Sequence, residues 1–156
     1  MPQAKEFVMR PIGHVRSPHG KHTDVPKGLG ARHVAEGKIV VEPEYEQGLT
    51  DIEGMSHLYV IWVFSEAKGF SLQARPPSSS RPHGVFVTRS PRRPNPIGLT
   101  VVKLIAREGN VLHVSGVDML DRTPVLDIKP YLSSVPSEEL RRGWLDEEEA
   151  RQGSAE

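Results

Sequence analysis

From Ala67 to Arg107 the chain carries no acidic side chain, yet Lys68, Arg75, Arg81, Arg89, Arg92, Arg93, Lys103 and Arg107 all fall there. The densest part, Thr88 to Gly98 (TRSPRRPNPIG), interleaves Arg89, Arg92 and Arg93 with Pro91, Pro94 and Pro96. Proline fixes φ, so these guanidinium groups sit on a backbone with little freedom to lose on binding. Arginine presents a planar fork of donors that suits a carboxylate or a phosphate, and the loop by itself is open to both.

A second cluster lies in Gly116 to Tyr131 (GVDMLDRTPVLDIKPY), where Asp118, Asp121 and Asp127 follow a strand-like run. Three carboxylates can hold a metal, clamp a ribose or accept a proton. A metal is the least favoured, because no histidine is suitably spaced beside them and Arg122 and Lys129 can neutralise them. Asp121 and Asp127 read as ion-paired or turn-capping residues. Asp118, directly after a buried strand, is placed to reach ribose hydroxyls. His14, His19, His22 and His33 are too irregularly spaced for a metal site and read as ordinary exposed histidines. Gly28-Leu29-Gly30 lacks the remaining glycine and the helix of a dinucleotide fingerprint, which argues against a nucleotide-binding α/β fold.

Composition narrows the possible partners. Lys plus Arg and Asp plus Glu both number 20, so the net charge is zero and any polyanion site has to be local. The absence of cysteine excludes disulfides, thiolate metal sites and a cysteine nucleophile, and fits a reducing, cytoplasmic setting. The sequence offers neither a secretory signal nor the ~20 apolar residues of a membrane span, and 156 residues suit one domain.

The elements that must position these groups are short. Fourteen glycines and fourteen prolines cut the chain into strand-length pieces. Strands are predicted at Phe7 to Val15 (an edge or bulged strand, given Pro11 and Gly13), Gly37 to Glu42, Leu58 to Phe64, Gly84 to Thr88, Leu99 to Ala106, Val111 to Val117 and Val125 to Ile128. Leu58 to Phe64 (LYVIWVF) is an unbroken apolar run, expected to be buried on both faces. Glu108-Gly109-Asn110 marks a hairpin turn. The fold class is all-β: a small β-barrel, preferred to a sandwich because closure removes exposed edges, with short peripheral helices. The core domain spans 7–132. A helical or flexible tail follows over 133–156, with a helix start at Pro136-Ser137-Glu138-Glu139, an apolar stripe of Leu140, Trp144 and Leu145, and a solvated, frayed end from Asp146.

Taken in order, Ile12 to Pro18 (IGHVRSP), Met55 to Leu58 (MSHL), Thr88 to Thr100 (TRSPRRPNPIGLT) and Asp118 to Tyr131, with its DRTPVLDIKPY, resemble the TsaA-like (TrmO-type) tRNA methyltransferase family over about residues 8 to 132. The resemblance implies a β-barrel that binds S-adenosylmethionine, often as a homodimer, and methylates N6 of threonylcarbamoyladenosine beside the tRNA anticodon. Carried over by motif, it assigns the cofactor to Lys27, Gly28 and Leu29, to Ser65 and Glu66, to Arg89 and Leu99, and to Ser115, Gly116, Val117 and Asp118. In that assignment Asp118 holds the ribose, Leu99 packs on the adenine and Arg89 meets the carboxylate. Methyl transfer depends on in-line placement, so no catalytic base is assigned. Arg75, Arg81, Arg92 and Arg93 are candidates for tRNA phosphate, and His57 or Asn95 for the neighbourhood of the modified base. Neither DNA nor a membrane is an expected partner. Longer members carry a further C-terminal domain, in place of which this sequence offers a short acidic tail. Competing readings are a sensor that binds S-adenosylmethionine without catalysis and an RNA-binding protein without cofactor.

Overall fold

The structure is a computed structural model and describes residues 5–25 and 34–153. The expected contacts at Lys27, Gly28 and Leu29 lie outside the described residues, as does His33. Among the described residues eight strands form: β1 (Gly13–Arg16), β2 (Glu36–Val41), β3 (His57–Val63), β4 (Gln73–Ala74), β5 (His83–Gly84), β6 (Ile97–Glu108), β7 (Val111–Ser115) and β8 (Pro124–Pro130). Six of them pair antiparallel in the order β1-β2-β7-β6-β3-β8, and β8 returns to β1, so the ladder closes into a ring. β4 and β5 make a separate two-stranded ribbon. The protein is mainly β. Among the described residues, no helix is long and apolar enough to cross a membrane.

Alternation explains why these segments close around a core. On β6 the side chains of Thr100 and Val102 are buried with Gly98, while Ile97, Leu99 and Val101 face outward. On β3 the inner residues are Leu58, Val60 and Trp62. Together with Val15, Ile39, Leu112, Val114 and Val125 they form one apolar core, each large side chain contributing about 1.5–3 kcal/mol on burial. The β6–β7 hairpin turns at Gly109, whose φ of 59° suits glycine, and Asn110 clasps the end of β2 by donating from Nδ2 to the Val41 carbonyl at 2.7 Å.

Several expectations need correction. β3 is fully buried only on its inner face; Tyr59, Ile61 and Val63 on the other are half-buried. The first strand is Gly13–Arg16, because Pro11 has no N–H to donate, and Phe7, Val8 and Met9 before it are exposed. Gly84 to Thr88 is not a strand: after β5, Val85–Val87 winds into a 3-10 turn that Thr88 closes by donating from Oγ1 to the Val85 carbonyl at 2.8 Å. Ser137–Glu139 is only a 3-10 turn, and the helix α1 (Trp144–Gly153) starts later, after Gly143 at φ 54°. Its residues from Asp146 to Gly153 are helical rather than frayed, and Leu145 and Glu148 are buried. His19 is also buried, its Nε2 donating to the Val117 carbonyl at 3.1 Å.

α1 is held from both ends of its first turns. Trp144 stacks on His83 at 4.5 Å between ring centroids and donates its indole N–H to the Val87 carbonyl at 2.9 Å. At the helix start the Arg142 N–H donates to Asp146 at 2.9 Å, the main reason that this carboxyl sits below its ordinary value. A lowered carboxylate favours the fold above its ordinary range, so this support persists at neutral pH and is lost only as the pH falls through the lowered value. Trp144→Ala removes one stack and one hydrogen bond, and should cost about 1–3 kcal/mol. The check is thermal unfolding, with a midpoint lowered by several degrees.

Candidate functional site

A cleft of about 1150 Å³ opens where the end of β3, the start of β6 and the segment Asp118–Thr123 come together. Register explains the convergence. Trp62 lies opposite Gly98 on β6 and Val125 on β8, so the outgoing end of β3 and the incoming ends of β6 and β8 share one rim of the ring. The Thr88–Arg93 loop and the stretch Ala74–Pro77 complete the wall.

The segment that carries Asp118 is stitched to the chain just after β1. The His19 ring donates to the Val117 carbonyl, Ser17 Oγ donates to the Met119 carbonyl at 2.7 Å, and the Asp121 N–H donates to the His19 carbonyl at 2.8 Å. Asp121 accepts from the Ser17 N–H at 3.0 Å and lies 3.5 Å from Arg16, and Asp127 pairs with Lys129 at 2.9 Å. These two carboxylates are structural. Asp121 borders the cleft as well, but Asp118, which also lines it, differs in its partner: it accepts from Thr100 Oγ1 at 2.5 Å, while Thr100 accepts from Trp62 Nε1 at 3.0 Å. Among the described residues, no three His, Cys, Asp or Glu side chains gather into a metal-binding group.

The arginine loop is fixed on both sides. Arg93 folds back to donate to the Thr88 carbonyl at 2.9 Å, and the Ser71 N–H donates to the Arg92 carbonyl at 3.2 Å. Arg93 is thus partly spent on holding its own loop, whereas Arg89 and Arg92 leave the same loop exposed against the cleft.

Of the residues assigned from sequence, Ser65, Glu66, Arg89, Leu99 and Asp118 all line the cleft, and so do Arg75, Arg92 and Arg93. Ser115, Gly116 and Val117 do not line it; the Gly116 and Val117 N–H groups both donate to the Ala35 carbonyl, at 2.9 and 3.1 Å, behind Asp118. Arg81 and Asn95 also lie outside the lining, and Arg81 sits 3.8 Å from Glu147 of α1. His57 begins β3, about 20 Å of strand from Val63 at a rise of 3.3 Å per residue, and so stands at the other end of the ring. Sequence reading overlooked Trp62 and Thr100. The available signal was a polar residue on the buried register of β6, between Gly98 and Val102.

Comparison with known proteins finds the same fold. Residues 14–137 match the family described as tRNA-methyltransferase O N-terminal domain. A protein of Pyrococcus abyssi named as a probable S-adenosyl-L-methionine-binding protein is 47% identical over 138 residues, 88% of this chain and 75% of the relative. A mouse protein named tRNA (adenine(37)-N6)-methyltransferase is 44% identical over 142 residues, 86% of this chain and 33% of that protein. The crystal structure of TrmO from Pseudomonas aeruginosa superposes with a TM-score of 0.75 at 34% identity, covering 91% of this chain and 64% of that one. The chain therefore spans only a third of the mouse protein and just under two thirds of the solved structure.

Proposed function

The chain belongs to the family of the tRNA-methyltransferase O N-terminal domain, and from that premise we propose that it is an S-adenosylmethionine-dependent methyltransferase acting on N6 of threonylcarbamoyladenosine in the tRNA anticodon loop. The observation that carries the reading is the meeting of Ser65, Glu66, Arg89, Leu99 and Asp118, drawn from four separate stretches of chain, in one cleft. The names of relatives support the cofactor and the reaction class: one is named a probable S-adenosyl-L-methionine-binding protein and one a tRNA (adenine(37)-N6)-methyltransferase.

The residues suit the cofactor. About 1150 Å³ exceeds the roughly 300–1,000 Å³ of an ordinary ligand pocket, which leaves space for an acceptor beside it. When bound, S-adenosylmethionine supplies a methyl group activated on a positively charged sulfur. Asp118 offers a carboxylate acceptor for ribose hydroxyls, Leu99 an apolar surface for adenine, and Arg89 a forked donor for the methionyl carboxylate. Orientation in the cleft is what these groups contribute. Arg75 and Arg92 project from the rim where an RNA phosphate would pass. Work in the cytoplasm and assembly as a homodimer belong to the same reading.

The test is calorimetric titration with S-adenosylmethionine, followed by incubation with tRNA lacking the modification and mass spectrometry of its nucleosides. Binding with methylated threonylcarbamoyladenosine is the expected result. Binding without methylation would point to a sensor or another acceptor, and no binding would refute the reading. Two variants separate the loop's roles. Arg89→Ala should weaken cofactor binding by about 1.5–3 kcal/mol. Arg92→Ala should weaken tRNA binding and reduce its salt dependence by about one counterion.

A further inference from the structure

Trp62, Thr100 and Asp118 form a chain of hydrogen bonds whose direction is forced. An indole N–H only donates, so Thr100 Oγ1 must accept from Trp62 at 3.0 Å and has its own hydrogen left for Asp118 Oδ1 at 2.5 Å. Trp62 and Thr100 are both buried on the inner face of the ring. The indole is fixed in turn: its six-membered ring lies against Gly98, where a Cβ would come within 2.3 Å of it, and Phe64 meets it edge-on at 4.3 Å. If Thr100 served only to fill space, valine would have the same shape without the need for a donor on one side and an acceptor on the other.

We infer that Thr100, aligned by the indole of Trp62, is a positioning residue that sets the direction in which Asp118 presents its carboxylate to the cofactor cleft. The inference rests on the proposed cofactor site. With one oxygen held by a hydroxyl that cannot rotate away, the carboxylate is preorganised and less ordering remains for binding to supply.

The experiment uses the whole chain and two readouts. The first is S-adenosylmethionine affinity in a double-mutant cycle of Thr100→Val and Asp118→Ala, which leaves the Thr100 hydroxyl no acceptor at this position, with Thr100→Ser as the conservative variant. Thr100→Val should weaken binding about ten-fold, the size expected for one hydrogen bond to a charged group. The same change should cost less than about two-fold when Asp118 is already alanine, and Thr100→Ser should recover most of the affinity. The second readout needs no ligand. The chain has two tryptophans, hence two indole N–H signals by nuclear magnetic resonance. Asp118→Asn should move that of Trp62 through the shared hydroxyl, and should fail to do so in the Thr100→Val background.

A folded Thr100→Val protein that binds like its parent, or one whose loss is the same in both Asp118 backgrounds, would overturn the inference. An indole signal indifferent to Asp118 would do so as well. If the parent chain does not bind S-adenosylmethionine, the proposed function fails, and the indole signal still decides on the relay. If Thr100→Val does not fold, Thr100→Ser and Trp62→Phe carry the same comparison. Trp62→Phe, which removes the donor, should weaken affinity where Thr100→Ser does not, and equal affinities would overturn the inference.

Discussion

Asp118→Asn is expected to lower the affinity for S-adenosylmethionine by one to two orders of magnitude while leaving the fold intact. Asparagine matches aspartate in shape and keeps an oxygen for the Thr100 hydroxyl, which donates to Oδ1 at 2.5 Å. What disappears is the charge and one of the two carboxylate acceptors. A hydrogen bond to a charged group is worth about 1.5–3 kcal/mol, or roughly 10- to 150-fold in affinity. Calorimetry gives the affinity, and thermal unfolding near the parent midpoint shows that the scaffold survives. Parent-like binding in the variant would remove Asp118 from the site. Ordinary surface carboxylates provide the contrast: Asp127 is tied to Lys129 at 2.9 Å, and its replacement should leave the affinity alone.

Gly98→Ala should damage stability and binding together, a different pattern from Asp118→Asn. An added Cβ would stand 2.3 Å from Trp62 Cε2, 2.4 Å from Cζ2 and 2.6 Å from Cδ2, well inside contact distance. The ring has little room to retreat, because Phe64 packs at its edge and its N–H is held by Thr100. Overpacking of this kind costs about 1–3 kcal/mol in a close-packed core. Any rotation that relieves it also withdraws the donor from Thr100 and loosens Asp118. Urea unfolding should report the first loss, and calorimetry on the fraction that remains folded should report the second. A Gly98→Ala protein as stable as its parent would mean that the indole is mobile where the structure has it clamped.

Residue patterns near one another in the chain were enough to place much of the framework. Alternation along Leu99 to Ala106 and Val111 to Val117, with a turn at Gly109-Asn110 between them, identified the β6–β7 hairpin to within a few residues at its ends. The apolar run Leu58 to Phe64 likewise became β3. The acid-free stretch with its prolines marked the arginine loop, and the motif of Asp118 to Tyr131 contained Asp118, which lines the cleft. All of these signals are local, since strand period, turn chemistry and charge density are properties of neighbouring residues.

Tertiary structure decided what depends on distant partners. The task of IGHVRSP and of the His19 that follows it is set by tertiary structure: Ser17 and His19 bond to the carbonyls of Met119 and Val117, about a hundred residues away. Val85–Val87 looked like a strand by composition but had no ladder to join. α1 gained its place from Val87 and His83 rather than from its weak apolar stripe. Arg93 and Arg81, equal to Arg89 and Arg92 as charges in a sequence, were drawn to the Thr88 carbonyl and Glu147 and so set apart from them. The link from Trp62 through Thr100 to Asp118 joins three positions spread over 56 residues. Periodicity could show that Trp62 and Thr100 face inward, but only closure of the ring determines which neighbours an inward residue meets, because strand pairing and register are set by the packing of the whole core.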